Sequence, residues 1–207
     1  MTGAVVVEGA RTPLGARVVE RLAALGAEVS PLGAWDAQGD VDAYVHLGPW
    51  AEPPAVRPFA DLGDDDLVAA FDRPVLDLLA SLHDAFAHLR RPGGRVVVVV
   101  PTIGMAGAPG LAAFAAAAEA QRLLVKSAAR QWGADGIVMN VLAADLAGLA
   151  PGAADLPSVS LSPPALGTAA VADLASVARA VCALAVGDTA ALTGVTLTAD
   201  GGTWMAP

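Results

Sequence analysis

The chain has 207 residues, 55% of them hydrophobic and 16% charged, with a formal net charge of -9. That length suits one domain spanning residues 1–207 with a sizeable core, and the hydrophobic content excludes a disordered chain. The acidic balance removes the positive footprint that a nucleic-acid backbone requires.

Cys182 is the single cysteine, so an intrachain disulfide and a cysteine-built metal cluster are excluded, no metal site is expected, and a reducing cytoplasmic setting is the expectation. The opening "MTGAVVVEGARTPLG" lacks a basic region followed by a long apolar stretch, so no secretion signal is expected. The most apolar segments are interrupted by Pro and Gly and fall short of a membrane span.

Ala4 to Val7 reads as a short strand ending in Gly9, followed by a helix over Ala16 to Leu25 in which Val18, Val19, Leu22 and Leu25 recur at helical spacing. Gly26 stops that helix, "AEVSPL" is a second strand, and Val41 to Gly48 ("VDAYVHLG") is a third. The proline-rich "PWAEPPAVRPF" must be loop. Asp64, Asp65 and Asp66 then mark a helix start, and the helical pattern runs to Leu89 with a break near Pro74. "RVVVVV" has the β-branched continuity of a strand buried on both faces. A Gly-rich loop leads to an Ala-rich helix over about Leu111 to Trp132, then a strand in "GIVMNVLAA". A helix from about Ala169 to Val186 and a last strand in "TGVTLTADGG" complete the chain. The alternation predicts an α/β Rossmann-like fold, a doubly wound parallel sheet in a three-layer α/β/α sandwich with ligand sites at the carboxyl ends of the strands.

Four stretches, "VVVEGARTPLGARVVERLAALGAEV", "GGRVVVVVPTIGMAGAPGLAAF", "GIVMNVLAADL" and "LTGVTLTADGGTWMAP", follow one another in the order of a known family. The chain resembles the short-chain dehydrogenase/reductases over nearly its whole length. The resemblance implies a Ser, Tyr and Lys acting on a substrate oxygen, with an Asn completing a proton relay. Here the Tyr position holds Phe114, which has no hydroxyl, and the Lys position holds Ala118. Lys126 is two further turns along and cannot substitute. The Ser position falls on Pro101, with Thr102 one residue off, and the Asn position falls near Asp72 or Arg73. No catalytic residue of the family is expected to function.

The same resemblance places cofactor contacts at Gly9, Arg11, Gly15 and Gly48, should any NAD(P) binding persist. Pro13 stands where the middle glycine of the first turn belongs, removing an amide and forbidding positive φ. The family's "NNAG" appears as "VHLG", Val45 to Gly48, and its proline-glycine after the sixth strand appears as Ala144-Asp145. Only "GAWDAQGDV" separates the second strand from "DAYVHL", so one β-α unit is missing and six strands in the family's order 2-1-4-5-6-7 are expected. No cofactor is therefore expected.

Other candidates have ordinary readings. His46, Thr102 and Asp145 are the weak candidates for chemistry in the old cleft, against pocket lining or loop capping. His83 and His88 have a poor metal-ligand spacing. Cys182 reads as core. The expectation is a catalytically inactive subunit that assembles with an active reductase of the family, or with itself, through the helices at about 64–89 and 111–132 and the tail bearing Trp204 and Met205. The alternative is a repurposed, cofactor-independent enzyme acting on a hydrophobic carbonyl or acyl compound. An NAD(P)-dependent oxidoreductase is the least favoured reading, and neither nucleic acid nor membrane is expected as a partner.

Overall fold

A computed structural model describes residues 3–31, 41–89, 93–156, 163–167, 173–189 and 191–205. Six strands, β1 (Ala4–Glu8), β2 (Glu28–Pro31), β3 (Ala43–His46), β4 (Gly94–Pro101), β5 (Ile137–Ala144) and β6 (Thr196–Ala199), form one sheet. Their order is β2-β1-β3-β4-β5-β6, and all five pairings are parallel. This is the order the sequence predicts. The chain leaves β1 for one edge and returns to β3 on the other side of β1, so the direction of winding switches between β1 and β3. In an open α/β sheet that switch point is where a ligand crevice forms.

The α-helices among the described residues are α1 (Pro13–Ala24), α2 (Asp64–Leu67), α3 (Arg73–Leu89), α4 (Ile103–Ala106), α5 (Ala112–Trp132), α6 (Leu146–Leu149) and α7 (Leu174–Val186). The first part of the predicted last helix, residues 169–172, lies outside those described. Helix α1 packs on α7 and α3 on α5, giving a layer on each side of the sheet. The two central strands are covered on both faces: Val96 to Val100 are each at most 1% exposed. An uninterrupted β-branched run fits that double burial, since alternation is needed only where one face meets water. Leu78, Leu82, Ala85 and Leu89 of α3 recur at helical spacing and are buried in the same core.

The predicted break near Pro74 takes a definite form. Val68–Asp72 is a turn of π-helix joining α2 to α3. Proline has no N–H and its ring crowds the carbonyl four residues back, so the wider turn relieves a conflict that an α-helix would not tolerate. The fully buried Gln121 of α5 donates from Nε2 to the Pro74 carbonyl at 2.8 Å, tying the distorted segment to the neighbouring helix.

Candidate functional site

The crevice at the carboxyl ends of β1 and β3 begins with the Gly9–Gly15 turn. Thr12 caps α1: its Oγ1 accepts from the Gly15 amide at 3.0 Å and donates to the Gly9 carbonyl at 2.8 Å. The Thr12 amide donates to Gly9 and the Ala16 amide to Thr12, while Pro13 has no amide. Helix N-termini bind anions because their first amides are unspent. Here Leu14 has the only first-turn amide not used in these bonds, and Leu14 is itself 3% exposed. Gly15 is retained for packing, because a Cβ there would lie 2.0 Å from the Gly9 carbonyl oxygen.

Glu8, Arg11 and Glu52 line the open part of this cleft, a cavity of about 600 Å³. Two carboxylates against one guanidinium oppose the approach of a pyrophosphate. On the side toward α5 the cleft is filled. The indole of Trp50, from the proline-rich loop after β3, is 1% exposed and donates from Nε1 to the Val99 carbonyl at 2.8 Å. It lies against Gly48, where an added Cβ would be 2.0 Å from Nε1. The residue expected to face a cofactor thus faces Trp50. Phe114 meets the indole edge-on, with ring centroids 5.1 Å apart.

Ala118, one turn along α5 from Phe114, is 1% exposed and lies under α4. A Cβ on Gly104 would sit 2.8 Å from the Ala118 methyl. No room remains for the long side chain that the resemblance puts at this position. Pro101 ends β4. Thr102 follows it, buried, with its Oγ1 lacking a hydrogen-bond partner and its amide donating to Ala144 at 2.8 Å. Asp145 is the N-cap of α6, its carboxylate accepting from the Ala147 amide at 2.8 Å. Burial, opposed in part by that amide bond and reinforced by the charge of Asp200, raises its pKa.

His46, for which spacing identifies no partner, has two. Glu8 pairs with His46 in the parallel register of β1 and β3, and Tyr44 lies two residues before His46 on the same face. The Nδ1 of His46 is 2.7 Å from Glu8 Oε2, Tyr44 donates its hydroxyl to the same oxygen, and the Tyr44 oxygen is 3.1 Å from His46 Nδ1. Burial works to raise the Glu8 pKa, but the hydrogen bond and charge of His46, with bonds from Tyr44 and Ser81, outweigh it and hold Glu8 below its ordinary value. Burial and the Glu8 charge push Tyr44 well above its own. Nε2 of His46 is buried without a hydrogen-bond partner.

Of the three weak candidates for chemistry, Thr102 and Asp145 lie side by side, each following a member of the Pro101–Ala144 pair, and His46 stands apart from both. His46 is paired with Val98 of β4, whereas Thr102 lies beyond the end of that strand and Asp145 beyond the end of β5. Thr102 is four residue steps along the strand from Val98, roughly 13 Å at the usual rise. Sequence reasoning passes over Glu8, Tyr44 and Trp50, which do form the site. No group of three or more potential metal ligands occurs among the described residues. No helix among them is long and apolar enough to cross a membrane.

The parallel sheet, its switch point and the glycine turn at α1 define a Rossmann-like α/β domain. A family model described as Enoyl-(Acyl carrier protein) reductase matches residues 32–203. The chain belongs to the short-chain dehydrogenase/reductase family. Among solved structures, the crystal structure of levodione reductase matches with a TM-score of 0.79 at 16% identity, over 96% of each chain. That likeness establishes the fold alone. No curated protein sequence matches.

Proposed function

We propose that this chain is a non-catalytic member of the short-chain dehydrogenase/reductase family, serving as a structural or regulatory subunit beside an active reductase. The observation that carries the reading is Trp50, wedged between Gly48, the Val99 carbonyl and Phe114. The cleft is plugged beside a residue that has no proton to give. Ala118 under α4 and the spent amides of the α1 turn support the same reading, as do the carboxylates of Glu8 and Glu52. Together they support the reading that the cleft at this turn is poorly suited to a dinucleotide.

The surface supports assembly as the remaining role. Phe59, Leu67, Val68, Leu76, Leu79 and Leu123 are exposed to between 36% and 80% on the segments around α2, α3 and α5. Leu76 and Leu79 lie on α3 and Leu123 on α5, and large exposed apolar side chains that share a surface mark a contact region. Co-expression with an active reductase of the same family, followed by gel filtration and mass determination, tests the role. A mixed oligomer is expected; a chain that stays alone, or pairs only with itself, contradicts it.

A further inference from the structure

A second cavity lies on the other side of the Trp50 loop, and neither Thr102, Asp145 nor His46 lines it. Its volume is about 290 Å³. The Trp50 loop contributes Trp50, Pro53 and Glu52, the π-turn contributes Ala69 and Ala70, and α5 contributes Phe114. Ligand pockets run from about 300 to 1,000 Å³, so this one suits a single ring or a short branched chain. It is independent of the proposed loss of catalysis, since it would exist whether or not a dinucleotide entered the neighbouring cleft.

Three observations set the chemistry of its occupant. First, the lining is mostly apolar and includes two aromatic rings, which attract a cation as well as hydrocarbon. Second, its charged groups are unbalanced. Arg57 is within 3.4 Å of Asp66 and is engaged there, whereas Glu52 makes no ion pair among the described residues and stands on the ridge shared with the first cleft. Third, the π-turn wall offers an acceptor. The Arg73 amide donates to Val68, and the residue five on from Ala69 is Pro74, so the Ala69 carbonyl has no helical donor. Of the charged side chains that line the cavity, Glu52 is thus the one outside an ion pair among the described residues.

We infer that this cavity binds a small apolar ammonium compound, its hydrocarbon part against Trp50 and Phe114 and its charged head toward Glu52. The probe is 2-phenylethylammonium, titrated calorimetrically into the full chain, with 2-phenylethanol and 3-phenylpropanoate as neutral and anionic counterparts of similar size. The ammonium is expected to bind saturably and about tenfold more tightly than the alcohol, with the propanoate weakest. Glu52→Gln, at an exposed position, is expected to abolish the difference between ammonium and alcohol. Raised salt should narrow it, as screening requires. Ala70→Phe, which fills the cavity, should abolish binding while leaving the first cleft unaltered. The inference is overturned if the ammonium fails to saturate, if the alcohol binds as tightly, or if Glu52→Gln leaves the preference intact. None of these readouts depends on how Ala70→Phe folds, because the ligand series and the Glu52 variant decide the matter alone.

Discussion

Trp50 and Phe114 meet edge to face, their planes at 83° and their centroids 5.1 Å apart, with Phe114 at the position that the family resemblance assigns to a tyrosine. Aromatic pairs in that geometry add about 0.5–1.5 kcal/mol beyond the area they bury. Trp50 also places its N–H on Val99, so the plug is held by packing and by a bond to the central strand.

Trp50→Ala is therefore expected to cost about 3–5 kcal/mol, as large-to-small changes at buried aromatics do. Trp50→Phe, which keeps a ring but loses the bond, should cost less. Urea denaturation of both variants checks this, and a loss for Trp50→Ala below about 1 kcal/mol would be inconsistent with a buried plug.

Putting back the family's side chains will not put back its chemistry. The double change Phe114→Tyr with Ala118→Lys is expected to show no turnover of NADH or NADPH with carbonyl substrates. Ala118→Lys alone should lower stability by about 1–3 kcal/mol or more, because Gly104 of α4 stands over the methyl. Thermal melting and a coupled absorbance assay read the two effects. Measurable turnover by the double variant would refute the claim that the backbone, and not only two side chains, has closed the site.

The Glu8 network makes an acid-side prediction. Its carboxyl sits below the ordinary value of 4.5 when folded, so the stability it contributes is complete above about pH 4.5 and is lost as pH falls through the lower folded value. Glu8→Gln should lower stability at neutral pH by about 1–3 kcal/mol and flatten the acid limb of the stability profile. Equal slopes for the two proteins below that pH would count against it.

Asp145 carries the opposite sign. Burial raises its carboxyl above the ordinary 3.8, so its favourable contribution belongs below that pH and is lost as pH rises through the folded value. Asn caps helices as well as Asp does. Asp145→Asn should therefore be neutral or stabilising at pH 7 by up to about 1 kcal/mol, and a clear loss in melting temperature would show that the charge is needed.

Leu76 and Leu123 are 60% and 51% exposed on α3 and α5. Leu76→Glu with Leu123→Glu is expected to leave the fold intact by circular dichroism and to break any oligomer seen by gel filtration. An unchanged elution volume would place the contact elsewhere.

The sheet and its order were legible because strand and helix periodicities hold over long segments and because four stretches stand in family order. The break near Pro74 was legible too, since proline lacks the needed donor. The π-turn was not, because it begins at Val68, six residues ahead of its cause. His46 looked solitary because its partner Glu8 is 38 residues away, and only the parallel register of β1 and β3 joins them. Trp50 was invisible as a plug because side-chain direction in a proline-rich loop follows no period. The stretch "TADGGTWM" is tied back within the chain itself: Asp200 accepts from the amides of Gly202 and Trp204 at 3.0 and 2.9 Å, and Met205 is 70% exposed.

The most direct test of the central claim is calorimetric titration of the purified chain with NADH and with NADPH. No saturable heat is expected up to about 1 mM of either, and Trp50→Ala should not create it, because Pro13, Glu8 and the spent amides of the α1 turn remain. Saturable binding by the unmodified chain with a micromolar Kd would contradict the account.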